Sequence, residues 1–304
     1  MLLACVVIWS ANVSFVKLML RYWSPFSLGA VRMCLALAAF AVIVWVQERS
    51  FRIARRDWFH LIAAGAFGIF MNQACFVLAL KYSHASSVAL LLAMIPVFAA
   101  LISASFSVEP FTRWSLIGLP VSLIGVFLII STEPGSKLSL GTVQGDLFAM
   151  GTALSWAAYT VLLQPLLRKY SPARISFWVI VVGLIGLIGP GIASFDVTRV
   201  VREPWWSWAL VLYSSLLAIF TTNFLWYLGT HKLGPARGSL YAFLQPFLGV
   251  LLAVLILGDA VNLPEVAGGV VIIAGILLAR RAKIAPPSQE TIAEEAATEP
   301  PVPA

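Results

Sequence analysis

The chain has 304 residues, 61% apolar and only 11% charged, against roughly 45–50% and about 25% in a soluble domain. A soluble core of this length cannot hide so much apolar surface, so the surrounding solvent is lipid. The net charge of +7 does not imply a nucleic-acid partner, because most basic residues fall in short loops between apolar runs, where they report topology.

The first apolar segment, 2–20, starts almost at Met1 and carries Trp9, Asn12 and Lys17. It lacks the basic leader and small-residue cleavage site of a signal peptide. Nine more segments follow at 26–47, 58–80, 84–106, 113–131, 145–165, 173–193, 205–231, 235–257 and 263–280. Each is close to the ~20 residues that cross a bilayer core. The expected fold is therefore an all-α polytopic membrane protein of ten transmembrane helices, its 11 Trp and 7 Tyr suited to the headgroup boundary. Short linkers carry helix punctuation such as Ser24-Pro25, Glu109-Pro110, Pro134-Gly135, Ser171-Pro172 and Gly234-Pro235. Cys5, Cys34 and Cys75 lie inside apolar runs and are expected as free, buried thiols. His60, His84 and His231 sit near different span ends without ligand spacing, so no metal site or other cofactor is expected.

The basic residues choose the orientation. With both termini inside, the cytoplasmic segments hold thirteen: Arg49, Arg52, Arg55, Arg56, Arg113, Arg168, Lys169, Arg174, Lys232, Arg237, Arg280, Arg281 and Lys283. The opposite side holds six: Lys17, Arg21, Lys81, Lys137, Arg199 and Arg202. The positive-inside rule predicts a multi-pass protein of the inner (cytoplasmic) membrane with both termini cytoplasmic. Beyond Lys283 the chain turns rich in Pro, Glu, Ala and Thr, the composition of a disordered tail.

An internal repeat organises the spans. Offsetting the chain by 150 places Ile69-Phe70 on Ile219-Phe220, Leu90 on Leu240, Pro96 on Pro246, Glu109 on Asp259, Gly118 on Gly268 and Gly125 on Gly275. An offset of 147 places Trp9 on Trp156 and Pro25 on Pro172. Five helices is an odd number, so the second copy enters the membrane from the opposite side, as a 5+5 inverted-topology repeat. The predicted units are a first five-helix repeat at 1–131, a linker at 132–144, a second repeat at 145–283 and the cytoplasmic tail at 284–304.

A helix with a central Pro, an acidic residue at its end and a Gly-containing final helix occurs twice. The copies run from Ile95-Pro96-Val97 to Glu109 and from Gln245-Pro246-Phe247 to Asp259. This pattern, covering 2–280, resembles the EamA-like exporters of the drug/metabolite transporter superfamily. The resemblance implies ten spans and export of small molecules, with little information about the substrate.

Polar groups within spans are costly in lipid and are expected to face the interior. Asn223, Trp226, Tyr227 and Thr230 share one helical face, as do Arg237, Tyr241 and Gln245. Trp9 and Asn12 share a face of the first span, Asn72 and Gln73 mark the third, and Trp156 and Tyr159 hold the repeat-equivalent places of Trp9 and Asn12. Amides and rings together suit a neutral or zwitterionic metabolite, such as an amino acid, including an aromatic one. The alternative role for these amides is to tie helices together. Pro96 and Pro246 are expected as hinges that free the carbonyls of Leu92 and Ala242, or as packed kinks. Arg32, two turns into the second span, is expected to snorkel to the interface, with an anionic substrate group as the other partner. No acidic residue falls in mid-span, which favours facilitated diffusion by alternating access over proton-coupled antiport. An integral membrane enzyme is the alternative from another class, but the sequence holds neither Gly-x-Ser-x-Gly nor His-Glu-x-x-His. The expected partners are a small-molecule substrate and membrane lipid, with monomer and dimer both open.

Overall fold

The computed structural model describes residues 1–105, 113–131, 140–196, 203–233, 241 and 244–280. Glu109, Lys137, Arg237, Ala242 and the 284–304 tail lie outside them, as do the side chains of Pro96 and Tyr227. All regular structure among the described residues is helical. Helices keep every backbone hydrogen bond within one segment, which a hydrocarbon solvent requires.

In chain order these are α1 (Leu2–Met19), α2 (Pro25–Gln47) and α3 (Trp58–Gly65), which continues through a π-helical segment (Ala66–Met71) into α4 (Asn72–Tyr82). Next come α5 (Ala85–Leu91), a 3-10 turn (Leu92–Met94) and α6 (Ile95–Ser105). They are followed by α7 (Arg113–Ser131), α8 (Leu140–Leu167) and α9 (Pro172–Ala193). Then α10 (Trp205–Leu212) continues through a second π-helical segment (Tyr213–Thr221) into α11 (Thr222–Leu233), and α12 (Leu244–Leu257) and α13 (Leu263–Arg280) complete the order. Six of the described helical stretches are long and apolar enough to span a bilayer, and four more apolar helices are shorter. Val42, Phe59, Phe127, Ile185, Ile192 and Leu255 point outward, a distribution made for lipid rather than water.

The helix starts follow from sequence. Ser24 and Ser171 are extended and each precedes a Pro at the first helical position, where the missing N–H costs nothing. The Ser171 hydroxyl also accepts from the Arg174 amide at 3.2 Å, an N-cap. Pro96 behaves similarly. The 3-10 turn ends the preceding helix, and Pro96 falls in the first turn of α6 instead of mid-helix. The Leu92 carbonyl is not freed, contrary to expectation, because the Ile95 N–H turns back onto it. Pro246 is likewise in the first turn of α12 and is buried. Cys5 and Cys75 are buried, but Cys34 is exposed on the outer face of α2, correcting the expectation that all three thiols are inside.

Helices α7 and α13 pack antiparallel through glycine. A Cβ on Gly125 would lie 2.5 Å from the Gly268 carbonyl, one on Gly268 2.7 Å from the Gly125 carbonyl, and one on Gly275 2.6 Å from the Gly118 carbonyl. Between these contacts the Ser122 hydroxyl lies within 3.0 Å of the Gly118 carbonyl and 3.3 Å of the Ile272 carbonyl. Small residues at a membrane crossing let backbones approach this closely.

Candidate substrate site

The two π-helical segments hold the interior aromatics. The Trp9 indole N–H donates to the Ala218 carbonyl at 3.0 Å. In a π-segment the i→i+5 pattern turns carbonyls out of the ordinary ladder, and Ala218 also accepts from the Thr222 hydroxyl at 2.8 Å. On the other side of the bundle, Tyr159 is buried with its ring over Gly68, where any Cβ would collide with it. Gly68 and Ala218 correspond under the 150 offset, and Trp9 and Trp156 under the 147 offset.

Two groups of the expected site residues form. In one, Trp9 of α1 packs on Trp226 of α11 with ring centroids 5.1 Å apart. There the Asn12 side-chain oxygen, one turn along, accepts from the Ser214 hydroxyl. In the other, the Asn72 amide donates to the Thr152 carbonyl at 3.1 Å, and the Gln73 amide donates to Asn72 at 3.3 Å. Trp156 and Tyr159 stack at a tilt, 5.1 Å between centroids. The Asn72–Thr152 contact has a counterpart, the Cys5 thiol directed at the Thr222 carbonyl at 3.7 Å, and the two exchange under the repeat offsets.

The remaining expected residues are placed differently. Asn223 turns its amide onto the Ile219 carbonyl of its own helix, which satisfies one of its donors locally. Gln245 takes part through its backbone, its carbonyl accepting from the Ser10 hydroxyl at 3.2 Å. Tyr241 and the Gln245 side chain are half-buried.

Arg32 overturns the expectation of snorkelling. Its side chain is 1% exposed, and Nη1 donates to the Gln73 side-chain oxygen at 3.4 Å. The network Arg32–Gln73–Asn72–Thr152 thus runs from α2 through α4 to α8. Ser214, Thr152 and Ala218 complete the interior as partners that spacing alone could not reveal.

The carboxylates lie towards helix ends, but not all at the surface. Asp146 and Glu265 are 0% exposed and accept from the hydroxyls of Ser83 (2.6 Å) and Ser87 (3.0 Å). Asp259 accepts the first amides of α5, from Ala85 at 3.0 Å and Ser86 at 3.3 Å, a favourable charge at a helix N-terminus. That contact joins segments 174 residues apart in sequence.

At the opposite end the loops after α2 and α8 are clamped. Glu48 accepts from the Ser171 hydroxyl and from Arg174 Nε at 2.8 Å, while Asp57 meets Lys169 at 2.7 Å and the Tyr170 hydroxyl at 2.8 Å. At the end bearing α5 and the α1–α2 turn, a cavity of about 20 Å³ is bordered by Tyr22, Ser27, Ser194 and Glu203. It has room for a water molecule, not a metabolite.

A lipid-facing helical bundle with an amide-, hydroxyl- and ring-lined interior defines a multi-pass membrane protein. The EamA-like transporter family matches residues 1–131 and 143–281, and the chain belongs to that family. An uncharacterized transporter of Archaeoglobus fulgidus is 28% identical over 272 residues, covering 90% of this chain and 93% of its own. The uncharacterized transporter YyaM of Bacillus subtilis is 27% identical over 286 residues, covering 92% of each. A solved crystal structure shares the fold with a TM-score of 0.58 at 20% identity, covering 92% of this chain and 98% of the other.

Proposed function

We propose that this transporter exports small neutral or zwitterionic metabolites, amino acids including aromatic ones, across the inner membrane by alternating access between two five-helix halves. The observation that carries the reading is the pair of interior groups where α1 meets the second π-segment and α8 meets the first. Amides and aromatic rings from both halves converge there, and midplane sites at repeat interfaces are usual in inverted-repeat transporters. The antiparallel glycine crossing of α7 and α13 and the exchanged contacts support the 5+5 arrangement of ten helices. Among superfamily members the sequence resembles the aromatic amino acid exporter YddG, consistent with ring-lined walls. The site comprises Trp9, Asn12, Asn72, Gln73, Trp156, Tyr159, Asn223, Trp226, Tyr227, Tyr241 and Gln245, with Pro96 and Pro246 as hinges.

The test is uptake of a panel of amino acids by purified protein in liposomes, with and without a pH gradient. Facilitated diffusion predicts equilibration without concentration, and absence of all amino acid movement overturns the substrate assignment. The burial of Asp146 and Glu265 favours a second reading, proton-coupled antiport, because buried carboxylates are the usual proton relays. Concentrative movement driven by the imposed gradient selects it. Both termini are placed in the cytoplasm, and a single cysteine at position 137 that reacts only from the cytoplasmic side reverses that placement.

A further inference from the structure

Arg32 is a full positive charge sealed inside a bundle that offers it little. It lies seven residues after Pro25, about 10 Å along α2 at 1.5 Å per residue. Its Nε is buried without a hydrogen-bond partner, and no carboxylate among the described residues is paired with it. Its contact with Gln73 is long for a hydrogen bond to a charged donor, 3.4 Å. Buried charges are normally paired, because an unpaired one keeps its full desolvation cost. Gln73 is itself fixed through Asn72 to the α8 backbone, so the guanidinium is held in place by a network that supplies acceptors but no counter-charge.

We infer that Arg32 is the anion-recognition group of this transporter, with Gln73 as its positioning residue, and that the substrates it accepts carry a carboxylate. The inference rests on the reading of this interior as the substrate site. A planar guanidinium with an unpartnered Nε side matches a carboxylate through two parallel hydrogen bonds. Gln73 is five residues along the same span from Gly68, on which the Tyr159 ring lies. That is about 7 Å of rise, so a ligand anchored at Arg32 extends its side chain towards Tyr159 and Trp156.

The test is calorimetric titration of the purified protein with phenylalanine, 3-phenylpropionate and phenethylamine, which separate the carboxylate from the ammonium. The wild type is expected to bind both carboxylates. Arg32→Gln should weaken both roughly ten- to a hundredfold, and Arg32→Lys should weaken them less, retaining charge without the planar fork. Gln73→Glu supplies an internal carboxylate, so it should raise thermal stability while displacing both ligands, and it carries the test alone if Arg32→Gln does not fold. The inference is overturned if neither carboxylate binds the wild type or if the variants bind them unchanged. It is also overturned if phenethylamine binding falls by the same factor. The export reading fails separately: Arg32-dependent binding of 3-phenylpropionate, with no movement of phenylalanine across liposomes, removes the amino acid assignment and leaves the anion site standing.

Discussion

Single side chains in this interior do two jobs, and the contacts separate them. The Trp9–Trp226 pair and the Tyr159–Gly68 contact are packing interactions between elements far apart in sequence. If the rings also wall the substrate, Trp226→Ala should cost about 1–3 kcal/mol of binding for an aromatic amino acid and much less for a small one. Gln245→Ala should affect large and small amino acids alike, since all carry the same ammonium and carboxylate. Transport assays with one large and one small substrate check this, and wild-type rates in both folded variants would move the pocket elsewhere. Gly68→Ala isolates the packing role. The added methyl must displace the Tyr159 ring, which should cost about 1–3 kcal/mol, read by thermal unfolding in detergent.

Elements meet here by close backbone approach and by altered helical geometry. The α7–α13 crossing depends on Gly125, Gly268 and Gly275, where the opposing atoms include the carbonyl oxygens of Gly268, Gly125 and Gly118, which cannot rotate away. Gly268→Val should therefore destabilise by about 1–3 kcal/mol or more, measured by unfolding in detergent. Gly29→Ala is the matched control. Nothing lies within 4 Å of its added Cβ, and a helical Gly→Ala change gains roughly 0.5–1 kcal/mol. The two π-segments, Ala66–Met71 and Tyr213–Thr221, overlap under the 150 offset and each receives an interior aromatic from the other half of the chain. Neither segment contains Pro, and Gly68 in the first is a residue that membrane helices commonly carry. Segments 58–80 and 205–231 therefore read as uninterrupted helices, and the wide turns emerge only against their neighbours.

Across the whole molecule, both ends of the bundle are tied between distant segments, by different chemistry. At one end the Trp23 indole donates to the Ser207 hydroxyl at 2.9 Å, and Ser27 donates to the Gly191 carbonyl at 2.8 Å. At the other the tie is ionic, through Glu48 with Arg174 and Asp57 with Lys169. Tyr170–Asp57 occupies the repeat-equivalent place of Trp23–Ser207, so a carboxylate acceptor at one end stands where the other has a hydroxyl. A partly exposed pair is worth about 1 kcal/mol, a factor of roughly five in an equilibrium. Glu48→Gln should accordingly raise the accessibility of a cysteine placed at Tyr159, probed from the Glu48 side by maleimide labelling in a background free of other cysteines. The increase should shrink in Arg174→Gln, where the pair is already broken. Equal labelling in the parent and Glu48→Gln proteins would remove the clamp from the opening equilibrium.

The sequence by itself determined the solvent of this protein and the family pattern. Lipid demands long apolar runs and locally closed hydrogen bonds, and both demands are written residue by residue. The repeated Pro, acidic and Gly positions were legible for the same reason, as was the grouping of Trp9 with Asn12 and of Trp156 with Tyr159 on shared helical faces. What only the tertiary structure decided is which way each helix faces. A soluble helix announces its buried side by contrast with a polar one, whereas these spans are apolar all round. Arg32 therefore read as an interfacial residue until the packing of α2 on α4 enclosed it. Asp146 and Glu265 read as span ends until neighbouring helices covered them, and the turn of the Asn223 amide onto its own backbone was not legible in the face it shares with Trp226. The rotation of each helix about its axis is set by its neighbours, by Tyr159 seated on Gly68 and Trp9 on the Ala218 carbonyl, and that information is shared between distant segments instead of residing in any one of them.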